Sequence, residues 1–135
     1  MISSFKIRGV IVPLVTPFKS GGDEIDESAM ASLCDWLIDK GVHGLMPCGT
    51  TGEGPLLSTA ERKRLLEVVL TATHGRVPVI AHVGAATTRE TIDLTRHAQA
   101  LFVSAVSIVT PYYFPVSHRG NEIENPPALD GKMSW

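Results

Sequence analysis

Hydrophobic positions along the chain form short unbroken runs that alternate with longer amphipathic stretches. The runs are rich in β-branched residues and lie at Val10–Val15, Gly44–Cys48, Val77–Val83 and Ala105–Val109. A continuous apolar run of this length is typical of a strand that is buried on both faces. Pro47 cannot donate to a ladder, so the second strand is expected to end there. The pattern therefore predicts four buried strands.

The amphipathic stretches between the runs carry helix start and stop signals. Asp26 is placed to cap the first helix, and Lys40-Gly41 is a typical end for it. Ser58–Glu61 and Thr87–Glu90 have the capping-box pattern that opens the second and third helices. Strands thus recur about every 30 residues in the order βαβαβαβ, which is the arrangement of right-handed parallel units. The sequence predicts an α/β fold.

The last part of the chain breaks this pattern. No hydrophobic periodicity continues beyond Ser117, and Pro126-Pro127 is incompatible with a continuous helix. The sequence predicts one α/β domain over residues 1–116 and an irregular tail over residues 117–135.

Composition and charge exclude several classes of protein. The chain of 135 residues is 44% hydrophobic and 19% charged, with a net charge of −2, so it has enough apolar side chain for a core. It has no basic excess to neutralise phosphates, and its apolar runs are too short to span a membrane. The two cysteines show no metal-ligand spacing, and the first residues do not resemble a signal peptide. We therefore expect a cytoplasmic protein without a nucleic-acid, membrane or metal partner.

In parallel α/β folds the chemistry lies at the carboxyl ends of the strands. The segment Gly49–Glu53, after the second predicted strand, is the most informative of these ends. Two glycines flank the hydroxyls of Thr50 and Thr51, a composition suited to a cup for a small carboxylate or phosphate. Taken alone, the loop is better explained as a structural turn between a strand and a helix.

Several segments together resemble a known family, the dihydrodipicolinate synthase / N-acetylneuraminate lyase family. The resemblance runs from about Gly9 to about Pro115 and is carried by Thr16–Phe18, Asp35–Ile38, Gly41–Gly44, Gly49–Glu53, Val77–Ala81 and Val109–Tyr113. These proteins are class I aldolases that form a Schiff base between a lysine and pyruvate or a related 2-oxo acid. The resemblance implies that this chain is the first half of a (β/α)8 TIM barrel.

The resemblance also implies roles for particular residues. Thr51 is expected to hold the pyruvate carboxylate, and Gly49 and Gly52 to shape the substrate-binding loop. Thr50 is expected to belong to a hydroxyl relay that moves protons, and Tyr113 to reach into the relay of a neighbouring subunit. A homo-oligomer without a cofactor is therefore expected. Without the resemblance, Tyr113 is better explained as part of an aromatic rim.

Departures from the family pattern limit these expectations. A full barrel needs roughly 250 residues, and the family's Schiff-base lysine and main catalytic tyrosine belong to strands that have no counterpart here. The lysines are Lys6, Lys19, Lys40, Lys63 and Lys132, and none stands at a strand end. Phe102 also replaces an expected helix-ending glycine. We expect a truncated, inactive chain. The alternative is a non-catalytic half-barrel that binds a small carboxylate or a partner half, or self-associates through open barrel edges.

Three further residues near the strand ends have alternative interpretations. His82 could contact a substrate, but a hydrogen-bonded structural histidine is favoured. Cys48 could be a nucleophile, but a small buried filler is favoured because no histidine is placed to activate it. Glu53 is interpreted as a carboxylate that fixes the loop by hydrogen bonds to backbone rather than as a general base.

Overall fold

Four short parallel strands alternate with three α-helices in the computed structural model, which describes residues 7–110 and residue 112. The elements are β1 (Ile11–Pro13), α1 (Glu27–Asp39), β2 (Gly44–Met46), a 3-10 turn (Gly54–Leu56), α2 (Thr59–Thr73), β3 (Ile80–His82), α3 (Thr88–Ala100) and β4 (Ala105–Ser107). This order confirms the predicted βαβαβαβ pattern. Tyr113 and the predicted tail over residues 117–135 lie outside the described residues.

The strands are shorter than the apolar runs predicted. Val10–Val15 contributes only Ile11–Pro13 to a regular ladder, although His43 N donates to Val10 O and Leu14 N to Met46 O, at 2.8 and 2.9 Å. Of the flanking residues, Leu14 is buried in the core, whereas Val10 and Val15 are more than half exposed. Hydrophobicity alone therefore overestimates strand length.

The sheet consists of two parallel pairs with a weak junction. β1 pairs with β2 in the register Ile11 to Gly44, and β3 pairs with β4 in the register Ile80 to Ala105. A single bridge between Leu45 and Val79 joins the pairs. Pro78 explains this junction: its carbonyl accepts from Leu45 N at 3.1 Å, but its ring nitrogen has no proton to donate.

The helices pack on one face of this sheet and form the core with it. Strand side chains such as Leu14, Leu45 and Val79 are buried against helix side chains such as Met30 and Val69. Ion pairs also connect the helices: Arg64 binds Glu27 through two 2.7 Å hydrogen bonds, and Lys63 binds Asp93. These pairs are largely solvent-exposed and contribute little stability. The apolar core therefore dominates the folding energy.

Side chains cap the helices as predicted. Asp26 Oδ1 accepts from Ala29 N at 2.9 Å, and Ser58 and Glu61 form a complete capping box. Thr87 accepts from Glu90 N at 3.3 Å at the start of α3. Across residues 7–110, no helix is long and apolar enough to cross a membrane.

The outer edges of β1 and β4 carry no strand partner in the described part of the chain. Apolar side chains are exposed close to these edges: Val10 is 59% exposed, Val15 53% and Val109 44%. An uncovered edge of this kind is a template for pairing with another chain.

Phe102 follows α3 in a left-handed conformation, with φ of 54°. This is the position at which helices commonly place glycine, because a Cβ atom is strained there. The ring buries little apolar surface to offset this strain, since the residue is 88% exposed. Phe102, which stands where a helix-ending glycine is expected, therefore adopts the left-handed conformation that glycine would take there.

We predict that Phe102→Gly raises the free energy of unfolding by about 1 kcal/mol, because glycine removes a left-handed penalty of about 1–2 kcal/mol and loses part of that gain to chain entropy. Urea unfolding measures the change. Phe102→Ala is the control, since it removes the exposed ring but keeps the Cβ atom, and it should gain clearly less. Equal effects of glycine and alanine would show that the backbone is unstrained.

Candidate active site

The loop between β2 and the 3-10 turn is folded on itself by backbone hydrogen bonds. The carbonyl of Gly49 accepts from the N–H groups of Gly52 and Gly54, and Thr50 O accepts from Glu53 N, all at 3.1 Å. These bonds leave the two threonines at the outer tip of the loop. The sequence expectation of a tight Gly-Thr turn at this strand end is thus met by a compact loop.

The strained positions of this loop are not its glycines. Cys48 and Glu53 have φ of 61° and 56°, in the left-handed region, whereas Gly49, Gly52 and Gly54 do not. A non-glycine residue in this region costs of order 1–3 kcal/mol and persists only where its surroundings hold it. Left-handed backbone at the glycines is therefore not what turns this loop.

The glycines are needed instead for close approach. A Cβ atom on Gly54 would lie 1.9 Å from the carbonyl oxygen of Cys48, and one on Gly52 would lie 2.6 Å from that of Leu14. Gly49 differs, because its nearest neighbour would be Met46 Cε at 3.5 Å, an ordinary contact. Sequence reasoning missed Gly54, whose only signal was its position as a third glycine close behind the other two.

Thr16 connects this loop to the end of β1. Its hydroxyl is buried and donates a 2.6 Å hydrogen bond to the carbonyl of Gly52. The ends of β1 and β2 therefore meet, as expected for neighbouring parallel strands.

Thr50 and Thr51 are exposed at the tip of the loop. Within residues 7–110, neither of their N–H groups donates to a backbone carbonyl, and neither hydroxyl forms a hydrogen bond. Two N–H groups and two hydroxyls are thus free to bind a ligand. This is the donor set that the sequence analysis expected for a small carboxylate.

Arg62 lies beneath the loop and joins the ends of two strands. Its Nη2 donates to the carbonyl of His82 at 2.8 Å and lies 3.4 Å from the His82 Nδ1, and its own carbonyl lies 3.9 Å from the Cys48 Sγ. Sequence reasoning missed Arg62. Its signal is helical spacing, since it falls on the same face of α2 as Leu65 and Val69.

Burial and charge explain the states of the neighbouring side chains. Burial first, and then the positive charge of Arg62, lower the pKa of His82, so its ring is neutral near pH 7. Burial raises the pKa of the Cys48 thiol to about 11. These states agree with a hydrogen-bonded structural histidine and with a buried filler cysteine.

Glu53 does not have the role assigned to it. Its side chain is exposed and makes no capping hydrogen bond, whereas its backbone N–H holds the loop through Thr50. The interpretation of Glu53 as a loop-fixing carboxylate is therefore wrong, because the left-handed backbone leaves its side chain in solvent.

Comparison with known proteins identifies the family. The model of the dihydrodipicolinate synthetase family matches residues 6–123. The chain belongs to this family. It is 48% identical over 120 residues to the 4-hydroxy-tetrahydrodipicolinate synthase of Nitrobacter hamburgensis and 49% identical over 113 residues to that of Parvibaculum lavamentivorans, covering 89% and 84% of this chain and 40% and 38% of those proteins.

Solved structures agree in fold with this member of the dihydrodipicolinate synthetase family. Dihydrodipicolinate synthase from Aquifex aeolicus superimposes with a TM-score of 0.81 at 37% identity, over 86% of this chain and 39% of that one. N-acetylneuraminate lyase from Mycoplasma synoviae gives 0.84 at 32% identity, over 88% and 41%. The chain thus spans about 40% of the length of its relatives. Its fold is the N-terminal half of a TIM barrel, which confirms the resemblance and the fold class predicted from sequence.

None of the described lysines of this family member forms a hydrogen bond or an ion pair with the Gly49–Gly54 loop. Lys19 is paired with Glu24, which raises the pKa of the lysine, and Lys63 is paired with Asp93. Lys40 lies over the ring of Trp36, 5.7 Å from its centre.

We predict that Gly54→Ala lowers the free energy of unfolding by about 3 kcal/mol or more, because the added methyl group overlaps the Cys48 carbonyl and forces the backbone to move. Gly49→Ala is the matched control and should change stability by less than about 1 kcal/mol. Chemical denaturation of the two variants measures the difference. Similar losses in both would contradict the close-packing argument.

Proposed function

We propose that this chain supplies the substrate-carboxylate loop and part of the proton relay of a Schiff-base-forming lyase or synthase. The substrate is pyruvate or a related 2-oxo acid, and the reaction is an aldol condensation or cleavage of the dihydrodipicolinate synthase type. The observation that carries the proposal is the Thr50–Thr51 tip, whose free donors stand on a loop held by Thr16. A similar protein, YagE from E. coli K12, was solved in complex with pyruvate; it has a TM-score of 0.83 at 34% identity and covers 89% of this chain and 40% of that one.

Each threonine has a distinct part in this proposal. The hydroxyl and N–H of Thr51 donate to the carboxylate of the 2-oxo acid, because charge-assisted hydrogen bonds of this kind fix both position and orientation. The hydroxyl of Thr50 accepts and donates a proton in turn, and so passes protons without holding a charge. Tyr113 extends the relay of a neighbouring subunit in a homo-oligomer. Gly52, by its close approach to Leu14, and Gly49, by the two hydrogen bonds that its carbonyl accepts, keep the loop in the conformation that presents these groups.

The covalent step needs an amine, and the described lysines do not offer a suitable one. A lysine can attack a carbonyl only when it is unprotonated, which requires burial away from counter-charges. Lys19 and Lys63 are instead paired with carboxylates. We therefore propose that this chain binds a 2-oxo acid by itself but forms no imine and catalyses no aldol step.

Titration with pyruvate, followed by amide NMR, tests the binding site. We expect the Thr50 and Thr51 signals to shift first, with a Kd in the millimolar range or weaker, since a few charge-assisted hydrogen bonds contribute about 1–3 kcal/mol each. Thr51→Val should weaken binding at least several-fold. Thr71→Val, at an exposed position of α2, is the matched control and should bind as the parent does. Shifts confined to other regions would exclude this loop as the site.

Borohydride trapping, in the same samples, tests the absence of an imine. Intact mass after treatment with pyruvate and borohydride should show no stoichiometric adduct. A single lysine modified in high yield would contradict this proposal and would locate the reactive amine.

The open edges favour a second candidate, a non-catalytic half-barrel that pairs with another chain. The exposed Val10 and Val15 at the β1 edge suit pairing with a second copy or with a partner half. Light scattering after size-exclusion chromatography should show self-association. Val15→Lys should reduce it, whereas Leu56→Lys, which changes an equally apolar exposed residue away from both edges, should not. A sharp monomer with cooperative thermal unfolding would overturn this candidate.

A further inference from the structure

The sheet has an inner face, on the side away from the helices, whose side chains have no second layer over them in the described part of the chain. Side chains alternate between the two faces of a strand, and Val12 and Ala81 pack on the helix side as members of the core. Ile11, Met46 and Ile80 fall on the alternate positions, lie outside that core and are only partly buried. All three are apolar and uncharged, so burial against another apolar surface stabilises them.

The backbone at the outer edges of β1 and β4 is oriented to extend the sheet. The Val10 carbonyl and the Leu14 N–H both bond on the β2 side. Because these directions alternate along a strand, the backbone groups of Ile11 and Pro13 face outward, although Pro13 has only a carbonyl to offer. The Ser107 carbonyl accepts a hydrogen bond from the end of β3, so the backbone groups of its neighbours in β4 face outward as well.

The four strands have the direction and curvature of half a closed barrel. All four run the same way, since each pairing between neighbours is parallel. Their arrangement superimposes on part of solved barrels, and eight such strands close a TIM barrel. One further set of four strands, with the same direction and curvature, is therefore what this sheet lacks.

A second copy of the chain meets this requirement. A twofold axis along the barrel axis preserves strand direction, so that β4 of each copy meets β1 of the other in parallel. Each layer of side chains inside a TIM barrel comes from alternate strands. The twofold axis keeps this alternation, because β1 and β3 of one copy are followed in the same layer by β1 and β3 of the second.

We propose that two copies of this chain close into one eight-stranded barrel through two identical seams, each formed by β4 of one copy and β1 of the other. This inference rests on the edge pairing given above as the second candidate function, and it adds the partner, the symmetry and the strands that meet. Closure uses both open edges of each copy, so assembly stops at the dimer. Both Gly49–Gly54 loops then lie at the same end of the barrel, because the strands before them run in the same direction.

Light scattering across a range of concentrations of the full 135-residue chain tests closure. We expect a dimer whose mass does not increase further with concentration. Assemblies that keep growing would show open pairing, which contradicts the closed barrel but leaves self-association intact. A monomer at every concentration would contradict both the closed barrel and the second candidate function.

A mixture of charge variants tests which strands meet. Val15 and Val109 each stand two residues after their strand ends and are exposed in the single chain, so charges there leave the core intact. Val15→Lys and Val109→Glu should each raise the dimer Kd at least about tenfold, because each buries a lone charge in both seams. In an equimolar mixture the two variants should form a heterodimer, visible by native mass spectrometry. One of its seams pairs the introduced lysine with the introduced glutamate, and the other is unchanged.

Val15→Lys mixed with Val15→Glu is the matched control. Both substitutions lie on β1, so every seam between β4 and β1 would still hold a lone charge, and this mixture should not recover. Recovery in this mixture would show that β1 pairs with β1 and would overturn the proposal. Recovery in neither mixture would also overturn it, because the two variants that should compensate each other would then not meet.

Discussion

The buried hydroxyl of Thr16 donates a 2.6 Å hydrogen bond to the carbonyl of Gly52, and the geometry of the candidate site depends on this contact. It fastens the loop after β2 to the end of β1. The backbone at Gly52 can come this close only because it has no Cβ atom, which would lie 2.6 Å from the Leu14 carbonyl. Thr50 and Thr51 are exposed because the residues on either side of them are held inward.

The same packing explains how two strained residues are tolerated. Cys48 and Glu53 both adopt left-handed backbone conformations, at a cost of order 1–3 kcal/mol each. Cys48 is buried between the Gly54 backbone and the region of Arg62, so relaxing it would displace both. A loop held by several contacts in this way keeps the exposed Thr50 and Thr51 in one fixed arrangement, which is the physical meaning of preorganisation.

The sheet of this half-barrel has two open edges, at β1 and at β4. The chain carries four of the strands expected of a TIM barrel, covers about 40% of its relatives and leaves β1 and β4 without outer partners in the described residues. Even within the half-barrel, the two strand pairs meet at a single bridge because Pro78 cannot donate. The Gly49–Gly54 loop follows the β1–β2 pair, and Thr16 fastens it to the end of β1.

Local chemistry was enough to predict the order of elements, the caps at Asp26, Ser58 and Thr87 and the position of the Gly-Thr loop. Each of these depends on residues close together in the chain, where spacing and side-chain type decide the outcome. Tertiary structure alone decided that Cys48 and Glu53 are left-handed, that Gly54 packs on a carbonyl and that Arg62 is buried against His82. Those features arise from contacts between segments that the sequence separates, and no local pattern specifies which atoms will meet there.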